Sequence, residues 1–410
     1  MFREPLKIDA RIDYSILLCV FSLLAIGLAA LYVALSHDYP QVAWSMLLQQ
    51  GAWILLGLAI GFVTMFFSRS FLWKMTPFLY VLGLGLMVLP LIYFNPNLVA
   101  STGAKNWVSI NGMTLFQPSE FMKIPYILML AQITDWLHKR QLGEERTLWF
   151  DLKIIGTLSL ATLPVFVLLG LQHDLGTAMV YLAIFAGMVL IANVSWRIIL
   201  PVSALFLTLM GGFVALLSQD YGRSLFRQLG MPTYQINRIL AWLNPFDFAQ
   251  TMTFQQAQGQ IAIGSGGLTG QGYNVSNLQI PVRESDMIFT VIAEDFGLVG
   301  GLVLLLIYFL LITRMVAITI RSRSPFYTYV AAGYIFMLLF HIFENIGAVT
   351  GILPLTGIPL PFISQGGSSI ISNLIGIGLI LSIAYQNHLR DEEEGRVRPK
   401  RRKVVLRQTL

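Results

Sequence analysis

The stretch Val282 to Gly297, VRESDMIFTVIAEDFG, places Arg283, Glu284, Asp286, Glu294 and Asp295 where a long polar segment runs into an apolar one. Ionisable groups at membrane depth are rare because the bilayer cannot solvate them, so they mark functional sites by default. At the head of the apolar run Asp286 can retain partial solvation. Glu294 and Asp295 follow roughly 12 to 14 Å further along a helix. There they either line a deeper cavity or are neutral or paired.

A second set lies in STGAKNWVSINGMTLFQPSEFMK, with Pro118 suited to a first helical turn. Glu120 and Lys123, at i,i+3, share one helix face and partly neutralise each other in a low dielectric. Asp174, in LQHDLGTAM, offers Lys123 a second carboxylate. A buried ion pair that only fixes helix packing is the competing reading. His341 and Glu344 also sit at i,i+3, in HIFEN, a lone pair read as structural. The third set, TGILPLTGIPLPFISQGGSS, is uncharged and rich in proline, glycine and small donors. Broken backbone at membrane depth is tolerated only where protein covers it or it lines a cavity, so these loops imply an outward-facing groove. The glycines at 264, 266, 267, 270 and 272 fit either backbone approach to a phosphate or a flexible re-entrant turn. Neither a dinucleotide nor a P-loop spacing is present.

The elements that hold these residues follow from composition. The chain has 410 residues, 56% hydrophobic and 12% charged, with a mean hydropathy of +0.69. That leaves too little polar surface to cover a soluble globule. Ten apolar runs near the roughly 20 residues needed to cross a bilayer predict an all-α integral membrane protein of ten spans. They are Ser15 to Leu35, Leu47 to Phe67, Met75 to Phe94, Pro118 to Leu137, Lys153 to Leu171, Asp174 to Asn193, Ile198 to Leu217, Asp286 to Thr313, Phe326 to Gly347 and Gly366 to Tyr385. The first is longer than the apolar core of a signal peptide and reads as an uncleaved helix. It holds Cys19, the only cysteine, so an internal disulfide is excluded.

Arginine and lysine fall on alternate connections, among them Arg3, Lys7, Arg11, Arg69, Lys74, Lys139, Arg140, Arg146, Arg197, Arg314, Arg321 and Arg323. Retention of positive charge on the cytoplasmic side then predicts both termini inside and a multi-pass domain over 1–388. A basic cytoplasmic tail spans 389–410, and one large extracellular loop, about 218–285, joins the seventh and eighth spans. The net charge of +6 is mostly topology plus that tail, which suits anionic headgroups. Without aromatic interleaving or a supporting fold it is no nucleic-acid arm.

The motifs GAKNW, FQPSEFMK, QHDLGT, QGQIAIGSGGLTGQG, PVRESDMIFTVIAEDFG and GILPLTGIPLPFISQGGSS, in this order, resemble the SEDS family (shape, elongation, division and sporulation proteins) from the first helix to the last. The likeness is strongest to elongation-type members of Gram-positive kind, with division-type members as near relatives. It implies a ten-helix glycosyltransferase that polymerises glycan strands from lipid II, releasing undecaprenyl pyrophosphate. Implied partners are lipid II with its undecaprenyl chain, a class B penicillin-binding protein and other elongation-complex membrane proteins.

By the same resemblance Asp286 matches the essential aspartate and acts as general base, while Glu120, Lys123 and Asp174 shape the cavity floor. The cations available to meet charge on the leaving group are Lys105, Lys123, Arg238 and Arg283. Trp107, Ser364 and Gln365 help hold substrate, although Trp107 equally suits an interfacial anchor. A divalent metal, Mg or Mn, at Asp286 or a pyrophosphate oxygen is compatible with this chemistry, but no cluster of metal-site spacing is present. The rival readings are a carrier that flips the lipid-linked precursor and a non-catalytic scaffold.

Overall fold

The computed structural model describes residues 11–142, 145–231, 233–244, 246, 254–275 and 280–393. Several of the apolar runs become helices whose first turn is capped by a polar side chain. Asp13 caps α1 (Tyr14–Asp38), Ser68 caps α3 (Arg69–Ile92), Thr147 caps α6 (Leu148–Leu171) and Asp174 caps α7 (Leu175–Ile191). Each side-chain oxygen takes an otherwise orphaned backbone N–H. Between them lie α2 (Ala43–Thr64), the short α4 (Pro96–Thr102) and α5 (Pro118–Arg140). Then follow α8 (Trp196–Leu217), α9 (Asp220–Gln228), α10 (Thr233–Leu243), α11 (Phe254–Gly266), α12 (Ile288–Arg321), α13 (Pro325–Val349) and α14 (Gly367–Glu393).

A helix stands at each of the ten expected positions. Among the described residues eight helices are long and apolar enough to cross a membrane. The two outside that group are α5, whose Glu120, Lys123, Asp135, Lys139 and Arg140 dilute its hydropathy, and α7, which has 17 residues. Both belong to the centre of the bundle, where α5 packs on α3, α13 and α14, and α7 on α13. By contrast, the apolar stretch of α8 has no buried residue, and this helix packs mainly on α9 and α10.

Three departures from the expected elements bear on function. The segment 218–285 is not an open loop, since it holds α9, α10 and α11; residues 247–253 and 276–279 within it lie outside those described. Asp286 does not begin a helix. It sits in a turn over 281–287, entered through Val282 at φ 56°, and α12 starts two residues later. The helix α12 is broken at Gly297 (φ 62°, ψ −157°), a conformation that favours glycine.

The break is filled by the chain itself. Gln271 and Gly272 donate their N–H groups to the carbonyls of Glu294 and Asp295, and Leu298 and Val299 donate to those of Gly267 and Leu268. A side chain at Gly266, Gly270 or Gly297 would run into this backbone. These glycines therefore serve close packing of chain on chain rather than a phosphate. A hairpin of β1 (Val108–Ile110) and β2 (Met113–Phe116) turns on Asn111 and Gly112, both at positive φ as a two-residue turn requires. The basic tail beyond Glu393 lies outside the described residues.

Candidate functional site

Asp286 is buried where four segments meet. Asn345 of α13 donates Nδ2 to the Asp286 carbonyl (2.8 Å) and to that of Ile358 (2.9 Å), locking the 281–287 turn to the 351–366 loop. Ser364 adds a second lock, donating Oγ to the Ser285 carbonyl (2.6 Å) while accepting from Leu360 N (2.8 Å). Gln365 N donates to the Glu284 carbonyl (2.9 Å). Gln50 of α2 holds the far side of that loop, accepting from Gly366 N (3.2 Å) and reaching the Ser364 carbonyl (3.4 Å).

The carboxylate itself is lightly held. Gln255 of α11 approaches Oδ1 at 3.5 Å, and a side chain at Gly357 would begin 3.7 Å from Oδ2, so the glycine leaves that oxygen room. Burial pushes the Asp286 pKa up to about 6, partly offset by the positive charge of Arg238 and by a backbone hydrogen bond. Arg238 of α10 donates to the Thr356 carbonyl (3.2 Å) and acts electrostatically on Asp286.

The second set assembles differently. Lys123 Nζ contacts Glu120 Oε1 (2.6 Å) and His341 Nε2 (2.9 Å), all three buried between α5 and α13. Asp174 is engaged elsewhere: it caps α7 through Thr177 N (3.0 Å) and takes Thr177 Oγ1 (2.8 Å), Asn106 Nδ2 (2.8 Å) and Gln117 Nε2 (3.2 Å). The expected Lys123 to Asp174 contact is thus replaced by His341, which the HIFEN spacing had marked only as structural. With no shared hydrogen-bond partner, Lys123→Met and Asp174→Asn are expected to lower thermal stability additively to within about 0.5 kcal/mol. Lys123→Met with Glu120→Gln should instead be strongly non-additive. Unfolding of the single and double variants in detergent measures both.

The other candidate substrate residues lie in varied surroundings. Arg283 does not face an open groove: its guanidinium is wholly buried, ion-paired with Glu294 and 3.4 Å from Thr290 Oγ1. Ser364 serves the loop lock just described, because its hydroxyl is buried and used on both sides. Gln365 is half-buried and touches the site through its backbone. Lys105 stands apart, its ammonium 4.7 Å above the Phe94 ring and its N–H on the Gln172 carbonyl (2.8 Å). Trp107 is half-buried in the bend that immediately precedes β1. Sequence reasoning missed Gln50, Asn345 and Thr356, neutral residues whose role depends on which loops meet.

A profile of the cell cycle protein family that groups FtsW, RodA and SpoVE matches residues 13–389. The chain belongs to this family. A probable peptidoglycan glycosyltransferase FtsW of Geobacter metallireducens is 32% identical over 395 residues, covering 93% of this chain and 97% of that one. Solved structures also match. A chain from work on structural coordination of polymerization and crosslinking by a peptidoglycan synthase complex superimposes with a TM-score of 0.71, at 28% identity, over 92% of this chain and 98% of that one. The rod shape determining protein RodA of Thermus thermophilus gives 0.62 at 27%, over 92% and 97%.

Proposed function

We propose that the chain polymerises peptidoglycan glycan strands from lipid II, with Asp286 as general base, for cell elongation. The observation that carries this reading is the buried Asp286 carboxylate, with an open oxygen and a raised pKa, set near Arg238 where neutral hydrogen-bonding side chains lock several segments together. In the reaction the 4-hydroxyl of one GlcNAc gives its proton to Asp286 while its oxygen attacks the anomeric carbon of the other substrate's MurNAc. The bond to undecaprenyl pyrophosphate breaks with inversion from α to β, and Arg238 meets the developing negative charge.

Among the described residues no group of three or more His, Cys, Asp or Glu is arranged to hold a metal. A divalent cation would rely on Asp286 and substrate oxygens, supplying charge neutralisation when bound.

Orientation is supported by the far end of the bundle. Arg69 and Lys139 pair there with Asp135, Arg146 with Asp151 and Arg314 with Asp13, while Arg11 reaches the Met65 carbonyl. Positive charge at that end supports a cytoplasmic location for it and an extracellular one for Asp286, in a reading where α5 and α7 complete ten spans. A class B penicillin-binding protein as partner is supported by the likeness to a chain of a synthase complex. The elongation role is supported by the likeness to a rod shape determining protein.

Purified protein given labelled lipid II in vesicles tests the reading: glycan polymer is expected, and transbilayer movement without polymer would establish the carrier instead. The rate should depend on pH with a defined sign. Only ionised Asp286 accepts a proton, and its raised pKa means that it protonates near pH 6, so activity should fall about tenfold per unit below that value. A flat profile between pH 5 and 8 would remove Asp286 from the rate equation.

A further inference from the structure

The outer end of α13 carries a second carboxylate that the mechanism has not used. Glu344 is buried, and its Oε1 accepts from the Thr356 hydroxyl. Its Oε2 is equally buried and has no hydrogen-bond partner among the described residues; neither has Oδ1 of the adjacent Asn345. Buried acceptors are nearly always satisfied in folded proteins, and an exception calls for a specific explanation. Leaving one open costs stability.

The position of this open oxygen is set by three consecutive residues. Thr356 bonds Glu344 through its hydroxyl and Arg238 through its carbonyl, Gly357 lies against Asp286 Oδ2, and the Ile358 carbonyl takes Asn345 Nδ2. Glu344 and Asp286 therefore flank one short stretch of backbone, and Asn345 bonds the carbonyl of Asp286 itself (2.8 Å). The two carboxylates and the amide oxygen present acceptors here, with Arg238 held at the Thr356 carbonyl. They suit a neutral ligand rich in O–H and N–H donors, which is the chemistry of an N-acetylated sugar.

We propose that Glu344 Oε2 accepts a hydrogen bond from the acceptor sugar, from a hydroxyl neighbouring the one whose proton Asp286 takes, so that the Asp286 and Glu344 side of the site is the acceptor subsite. This rests on the polymerase reading and deepens it. Glu344 then binds substrate rather than moving a proton. The fold tolerates its open oxygen because bound sugar fills it.

The test is the dependence of polymerisation rate on lipid II concentration in wild type, E344A and E344Q, with melting temperatures measured on the same preparations. E344A is expected to lose about tenfold or more at low lipid II, the worth of one hydrogen bond to a charged group. Much of that loss should be recovered at high lipid II. The melting temperature should be unchanged or higher, since an unfilled buried carboxylate has been removed. E344Q, which keeps an acceptor oxygen and the shape, should fall between the two and is read alone if E344A does not fold.

Wild-type concentration dependence in E344A, or a loss that tracks a lowered melting temperature, would overturn the assignment. A loss reversed by raising Mn or Mg rather than lipid II would assign the open oxygen to a cation instead and overturn it likewise. A wild-type protein that makes no polymer would overturn the polymerase reading itself.

Discussion

Asp286→Asn is expected to leave the protein folded and able to bind lipid II while reducing polymerisation by about 10² to 10⁴ fold, the usual loss when a general acid or base is removed. The substitution preserves shape. Asn345 and Gly357 meet the backbone and one oxygen of residue 286, both of which survive in the amide. Relief of a buried carboxylate should leave the melting temperature equal or higher. What is lost is a group able to hold a proton near neutral pH. Polymerisation of labelled lipid II by the purified variant, beside a binding measurement on the same sample, decides the matter. A variant that polymerises at near the wild-type rate shows that Asp286 is not the base.

The second large effect lies just beneath. Arg283 and Glu294 are each wholly or almost wholly buried and pair with each other, joining the 281–287 turn to the first half of α12. Removing one partner strands the other charge, at a cost of about 3 to 5 kcal/mol. Arg283→Met and Glu294→Gln should each lower thermal stability in detergent by that order and weaken polymerisation, because the turn that carries Asp286 loses its anchor. Arg283→Met combined with Glu294→Leu removes both charges together and should recover most of the stability. If the double variant is as unstable as the sum of the singles, the two side chains do not act as a pair.

How far the sequence could be read depended on the range of each interaction. Glu120 and Lys123 lie on one helix, so their i,i+3 spacing alone predicted the contact that is present. Whether Asp174 or His341 completes the group depends on how α5 sits against α7 and α13, and no local pattern contains that information. Asp286 stood out because charge beside an apolar run is costly wherever it occurs. Its helical placement was wrong because apolarity over 286–313 gave no sign of the turn that ends at Met287.

Arg283 shows the same limit from the other side. A cation next to a base looks like a substrate ligand until its partner, eleven residues on, is seen to face it. The hairpin that turns on Asn111 and Gly112, within the GAKNW to FQPSEFMK stretch, was not part of the all-α reading. The neutral locks made by Gln50, Asn345 and Ser364 join segments far apart in the chain and carried no local signal.

The backbone ladder that fills the break at Gly297 has a consequence for how the protein is made. Its two sides, 267–272 and 294–299, are near neighbours in the chain, so their pairing closes a short loop at small entropic cost. Synthesis runs from the N-terminus at about 5 to 20 residues per second, so this unit is complete before α13 and α14 have been translated. Those later helices bring Asn345, Ser364 and the 351–366 loop onto the waiting turn. The platform under Asp286 is therefore an early product of biogenesis and its enclosure a late one. A ribosome that stalls within α13 releases a chain that can already hold the ladder but cannot yet enclose its carboxylate.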